Sequence, residues 1–371
     1  MANQVTNYKC PACTGPLRFD GETGKLKCDF CGSSYEVAEI EQRYTEKDEK
    51  AASAFRQAEE KAAADGEWAS VSGSDWGEDA AKLKSYSCPS CGAELICDET
   101  TSATSCPYCG NNTIVPGQFS GSLKPDYVLP FKLDKKAAVA ALRKHYGGKK
   151  LLPKAFSNEN HIEEVKGVYV PFWLYDGSAE VDIRCHGTQV NSYSTSDENV
   201  TVTNHFDVRR AGTVRFERVP VDASSKMPDD HMDAIEPFDY QDLKPFSTAY
   251  LPGFLADKYD VSVQDCAARA DERCEASAVE LVKDDARAGY ATCTVEQRNV
   301  ALHRGEVRYA LMPVWLLSTN WNGKNFLFAM NGQTGKLVGD LPLDKGLYWK
   351  YFARVAGITA AIVVAACAVL L

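Results

Sequence analysis

The sequence lacks a surplus of positive charge. Its 51 acidic residues outnumber 41 basic ones, giving a net charge of −10 and a pI near 5.2. An acidic chain repels phosphate polyanions unless it gathers Lys and Arg locally, so nucleic acid is not the default partner. Histidine is scarce, with 6 residues, and no H-E-x-x-H pair occurs. NGQTGKL at Asn331–Leu337 lacks the spacing of a phosphate loop and places Leu337 where Mg²⁺ requires Ser or Thr; it reads as a hairpin turn. No catalytic signature remains, and the expectation is a protein that is not an enzyme. MANQVTNYKC has no apolar stretch of a secretory leader, which predicts folding in the cytosol. With 44% hydrophobic and 25% charged residues, wholesale disorder is excluded.

Cysteine is abundant instead. Eight of the 14 form four CxxC pairs: Cys10/Cys13, Cys28/Cys31, Cys88/Cys91 and Cys106/Cys109. Both quartets read C-x2-C-x14-C-x2-C, and each ligand of the second lies 78 residues after its counterpart. Four thiolates in this spacing suit tetrahedral Zn²⁺, and so small a unit needs metal to fold. With no open coordination position, the expected role of two Zn²⁺ ions is structural. A rubredoxin-like iron and two-cysteine redox pairs are alternative uses of the same residues; four evenly repeated knuckles disfavour the redox use. Cys266 and Cys274, on one stripe with Ala270 and Ala278, read as core residues, while Cys97, Cys185, Cys293 and Cys367 show no partner set.

The expected fold is α+β: two small four-cysteine zinc ribbons at 1–37 and 86–117, an acidic helical spacer at 38–85, a mixed α+β domain at 118–345, and a juxtamembrane belt with a transmembrane helix at 346–371. The first ribbon carries a hairpin of strands Leu17–Phe19 and Lys25–Lys27. The spacer has a thin apolar stripe, which predicts a solvated helix rather than a docking one. In the α+β domain, strands are expected at Val128–Lys132, Gly167–Asp176, Ala291–Leu302, Val307–Ser318, Asn325–Met330 and Lys336–Val338. Helices are expected at Asp134–Tyr146, capped by Asp134, and at about Asp265–Ala288. Pro171-Phe-Trp-Leu174 and Pro313-Val-Trp-Leu316 echo each other 142 residues apart, which fits two halves of a duplicated domain and equally a coincidence between two buried strands.

The C-terminal run VAGITAAIVVAACAVLL spans 17 uncharged residues, Val355–Leu371. As a helix it measures about 25 Å, near the roughly 30 Å of a hydrocarbon core. Tyr348, Trp349, Tyr351 and Phe352 precede it beside Lys345, Lys350 and Arg354, an aromatic belt with a positive flank. A single-pass cell-membrane anchor is expected, with the N-terminal domains cytoplasmic; a buried core helix is the alternative. Gly357, Ala361 and Ala365 form a small-residue face suited to helix–helix association.

Charge separates the possible ribbon partners. Residues 1–37 hold four basic and four acidic side chains, and 86–117 hold Glu94, Asp98 and Glu99 with no Lys or Arg. Phosphate binding needs a basic face that neither ribbon has, so protein partners fit better. Nine Lys/Arg between Lys124 and Lys154 form one basic stretch, read first as a solvated helix face and second as a surface for anionic headgroups.

Longer blocks carry a resemblance. The paired ribbons, KKLLPKAF, GVYVPFWLYD, IEPFDY with FSTAYLPGFLADKYDV, YALMPVWLL and FAMNGQTGKLVGDLP together resemble the double zinc-ribbon (transcription factor IIB-type ribbon) membrane proteins of Gram-positive bacteria, encoded beside phage-shock protein A and SPFH/virion-core-like proteins. The resemblance implies a membrane-anchored adaptor for SPFH-type and phage-shock-type partners in envelope stress, with the eight paired cysteines as metal ligands. The ribbons alone also resemble those of transcription factor IIB and the primosomal replication-restart helicase. The alternative reading is therefore a nucleic-acid-binding zinc-ribbon protein of transcription or replication.

Overall fold

The computed structural model describes residues 8–21, 23–71, 75–101, 103, 105–112, 114–118, 123–153, 164–194 and 198–370. Two compact units emerge. The first takes the described part of Met1–Ser70, with Tyr175–Val219 and Cys266–Val307; the second takes Val71–Leu174, Pro220–Asp265 and Arg308–Leu371.

In the first unit, strands β1 (Leu17–Asp20), β2 (Lys25–Cys28) and β3 (Ser34–Tyr35) make a separate three-stranded sheet in the order β1-β2-β3. Gly24, at φ 67°, permits the turn between β1 and β2. Helix α1 (Val37–Asp65) follows directly. Its first turn belongs to the ribbon: Ile40 is fully buried with Cys10, Leu17, Leu26 and Cys28. Thereafter Ala62 is its other buried residue, so most of α1 is solvated as its thin stripe predicts. The segment after α1 is clamped. Trp68 is buried against Tyr175 and donates to Asp271, which also receives a bidentate pair from Arg304.

The second unit holds β4 (Leu83–Ser87), β5 (Glu94–Asp98), β6 (Val115–Gln118), β7 (Tyr127–Val128) and α2 (Lys135–Tyr146). Next in the chain come β8 (Lys166–Ser194), β9 (Asn199–Asp222), α3 (Asp229–Ala234), β10 (Lys244–Pro245), β11 (Leu255–Asp257) and α4 (Val263–Arg287). The C-terminal part has β12 (Thr292–Trp321), β13 (Lys324–Asn331), β14 (Leu337–Gly339) and α5 (Lys345–Leu370). The unit divide falls inside β8, β9, α4 and β12. The main sheet runs β10-β7-β12-β8-β11-β5-β4-β6, with β13 and β14 extending from β12 and β9 from β8.

Three expectations on strand length change. The strand expected at Gly167–Asp176 runs on as β8 to Ser194. The pairing of β7 stops at Val128, short of Lys132, because Pro130 has no N–H to continue a ladder. The strands expected on either side of Arg304 are one, β12, because Gly305 runs in extended backbone rather than turning. A Cβ there would lie 2.5 Å from the Asp176 carbonyl oxygen, so this close approach requires glycine.

The internal echo is structural. β7 pairs in parallel with Ala310–Leu311 of β12, and β11 pairs in parallel with Val168–Tyr169 of β8. These sites on β8 and β12 lie 142 residues apart, the offset of the echo, and β7 and β11 are offset by 128. Each β-α-β-β run, β7-α2-β8-β9 and β11-α4-β12-β13, thus lends its short first strand to the long strand of the other. The indole of Trp173 donates to Val261 O at 3.0 Å, and that of Trp315 to Leu133 O at 3.1 Å. Tyr259 packs on Trp173 and Phe131 on Trp315, each with centroids 5.1 Å apart. Asp134 caps α2 by accepting from Ala137 N, and Ser262 accepts from Asp265 N at the start of α4. Correspondence at the level of single hydrogen bonds excludes coincidence between two buried strands.

Other expectations hold within these elements. Cys266, Ala270, Cys274 and Ala278 are all buried. NGQTGKL closes a hairpin turn between β13 and β14, with Asn331 N donating to Lys336 O. Cys185 and Cys293, expected to have no partner set, are neighbours, and burial followed by the Cys293 thiol raises the Cys185 pKa to about 11.

Candidate metal centres

Both cysteine quartets close into metal cages. Cys10, Cys13, Cys28 and Cys31 bring their Sγ atoms within 4.8 Å of one another, as do Cys88, Cys91, Cys106 and Cys109. Among the described residues these are the two clusters with three or more ligating side chains close enough to hold an ion. Cys13 and Cys28 stand 3.4 Å apart, and Cys10–Cys31, Cys88–Cys109 and Cys91–Cys106 each 3.6 Å. A tetrahedron with Zn–S bonds of 2.3 Å has edges of about 3.8 Å, so the thiolates fit zinc with little adjustment.

The backbone explains why CxxC suffices. In each knuckle, the fourth residue after the leading cysteine returns its N–H to that cysteine's carbonyl: Thr14 to Cys10, Gly32 to Cys28, Gly92 to Cys88, Gly110 to Cys106. The leading cysteine donates in turn to the residue five ahead, at Gly15, Ser33, Ala93 and Asn111. This turn directs both sulfurs of a pair to one side. It needs a left-handed residue at its end, supplied by Gly32, Gly92 and Gly110 at φ 72–74° and by Thr14 at φ 60°.

The surroundings differ. In the first centre Cys13 and Cys31 are exposed, and Tyr35 and Ser33 approach Cys10 and Cys31 at 3.6 and 3.3 Å. The Ser33 hydroxyl and backbone draw the Cys31 thiol down to about 6. Two ion pairs lie nearby, Arg18 with Asp29 and Lys25 with Glu36.

The second centre is part of the main sheet. β5 pairs with β4 on one side and β11 on the other, with Ala256 opposite Ile96 and Asp257 opposite Leu95. Cys88, Cys106 and Tyr108 join the core built around Phe172, Leu174, Met232 and Met312. Two lysines attend it. Lys166 bonds the Ser105 carbonyl at 2.6 Å and its hydroxyl, and Lys226 Nζ lies 4.0 Å from where a Cβ on Gly92 would project. A zinc with four thiolates carries a charge of −2, which a nearby half-buried ammonium such as Lys166 offsets, while Lys226 also pairs with Asp260 at 3.1 Å. Asp257 is buried beneath the ribbon, accepting from the Ser224 hydroxyl at 2.6 Å. Burial pushes its carboxyl up to about 7, and burial with the nearby Asp257 charge raises Tyr108 well above the ordinary phenol range.

All eight expected ligands therefore assemble in two groups of four. Sequence reasoning missed Lys166, Lys226 and Asp257, which lie 57 to 148 residues beyond the last ligand and carry no local signal. Ser33 and Tyr35 directly follow CDFCG and could have been suspected from position alone.

The C-terminal helix stands apart from these cores. α5 is long and apolar enough to cross a membrane over Lys345–Val364, with none of that window buried in the protein. Gly357 and Ala361 are exposed on it; the Ala365 side chain lies outside the described residues.

Comparison with known proteins agrees with the metal assignment. Residues 9–39, the first ribbon, match the family model of the Trm112p-like protein. A Bacillus subtilis (strain 168) protein named "Uncharacterized protein YdjG" is 34% identical over 353 residues, covering 95% of each chain. The chain belongs to the YdjG family. No solved structure matches it. In this YdjG-family chain the cages and the family match together define two structural zinc sites.

Proposed function

We propose that this protein is a non-enzymatic, membrane-anchored zinc-ribbon adaptor. α5 crosses the cell membrane once, and the positive flank of Lys345, Lys350 and Arg354 holds the N-terminal domains in the cytoplasm. The observation that carries this reading is the exposed α5, where Tyr348, Trp349 and Phe352 present 43%, 62% and 55% of their surface beside an uncharged run. A soluble protein would bury such a helix; a bilayer gives it a solvent. The zinc centres support a docking rather than a chemical role, since four thiolates leave no coordination position for substrate.

The recruited partners are cytosolic proteins of the SPFH/virion-core-like and phage-shock protein A-like type, brought to the membrane in envelope stress. The first ribbon, with its own sheet and exposed knuckles, is the module we assign to docking. Cross-linked affinity purification of the full chain from membranes, read by mass spectrometry, tests this. SPFH-type or phage-shock-type proteins should be recovered, and lost when Cys13 and Cys31 are changed to Ser. Recovery of polymerase or replication proteins from a soluble pool would overturn both anchor and adaptor.

A further inference from the structure

The structure brings a basic surface to the root of the membrane helix. The backbone N–H of Asp344, the residue before α5, donates to Leu151 O at 2.9 Å, while its carboxylate caps the helix through Leu347 N. Leu341 packs in one apolar cluster with Val139, Leu142, Tyr146 and Leu152, so the buried face of α2 and the chain beyond it are fastened to the approach to α5. With that face buried, Lys136, Arg143 and Lys144 lie outward on α2, and Lys149 and Lys150 continue beyond it. Lys144, Lys149 and Lys150 form no ion pair among the described residues.

We propose that this surface docks on the anionic headgroups of the same membrane that α5 enters, an inference that rests on the anchor reading. The distances permit it. Asp344 lies ten residues before Arg354, the last charge of α5, or about 15 Å along a helix. A headgroup layer of about 5–8 Å covers part of that gap. A Debye length of about 8 Å and the reach of a lysine side chain cover the remainder. Without the contact between Asp344 and Leu151, nothing in the sequence would place these charges beside Lys345, Lys350 and Arg354. With it, Lys149 and Lys150 stand within two residues of the backbone bonded to Asp344, which directly precedes Lys345. The anchor then fixes orientation as well as location, because the second unit contacts the bilayer at two points.

The test uses the full chain reconstituted in nanodiscs of phosphatidylcholine alone or with phosphatidylglycerol, with lysine acetylation rates read by mass spectrometry. Charge-stabilised contact predicts that Lys144, Lys149 and Lys150 react about fivefold more slowly in the anionic discs. The effect should vanish at high salt. Equal rates at Lys144, Lys149 and Lys150 in both discs, with the chain inserted, would overturn the headgroup contact and leave the anchor standing. A chain that stays soluble and enters neither disc would overturn the anchor reading and the headgroup contact together.

Discussion

The two zinc ribbons share one local design and differ in everything around it. Both use the same knuckle hydrogen bonds at the same spacing. The first folds as a separate three-stranded sheet with a core of five buried residues, Cys10, Leu17, Leu26, Cys28 and Ile40. The second is an edge of the main sheet, held through β5 and β11; its Cys88 and Cys106 are core residues of the second unit, and Cys91 and Cys109 pack against that core. A repeated metal motif therefore does not imply a repeated role. The freestanding copy can present a surface and fail locally, while the embedded copy holds the fold together.

The largest expected difference comes from removing a ligand in each copy. Cys106→Ser breaks a site inside the main core and should lower the thermal midpoint of the full chain in detergent by roughly 10 °C or more, corresponding to about 4 kcal/mol. Cys28→Ser should remove one zinc and leave that main transition within about 2 °C. Equal losses would break the comparison.

Asp257 sharpens it through pH. Its native carboxyl, raised to about 7 by burial, binds a proton that the unfolded chain releases near pH 4. At this one group the native state binds more protons between those values, so its own contribution to stability falls as pH rises from about 4 to 7. Asp257→Asn, neutral throughout, should remove this contribution and exceed the parent by about 2–4 kcal/mol at pH 8, with little difference at pH 4. Melting curves of parent and variant across that range check the sign; an advantage of the variant that does not grow as pH rises would refute the assignment.

The smallest effect lies in one knuckle. Thr14 adopts a left-handed backbone where Gly92 stands in the second copy. Thr14→Gly should relieve about 1 kcal/mol and slow zinc loss from the first ribbon by about fivefold. The reverse change, Gly92→Thr, should speed loss from the second. A chelator trace unchanged by both would show that backbone strain has no part in holding the metal.

Much of this contrast was hidden in the sequence, for a physical reason. Ligands recur because two-residue gaps are demanded by local turn geometry, so all eight were readable from spacing. Trp173 and Trp315 were readable as an echo for the same reason: each fills an equivalent environment. The pairing of β5 with β11 rests on two residue pairs about 160 positions apart, between short strands with no periodicity of their own. Lys166, Lys226 and Asp257 are ordinary polar residues until the sheet places them under a ribbon. Trp68 lay in a stretch whose composition resembles a spacer, and its burial depends on Tyr175 and Asp271. Local geometry leaves a spacing in the sequence; long-range packing leaves none.

Timed zinc release tests the central claim most directly. Full-length protein loaded with zinc is mixed with excess chelator and followed by a zinc-sensitive dye and native mass spectrometry. Two zinc ions per chain should leave in two separate steps, the faster one absent from the Cys13→Ser/Cys31→Ser variant and accompanied by no loss of the main fold. One ion per chain, or two released together with global unfolding, would contradict a freestanding centre paired with an embedded one.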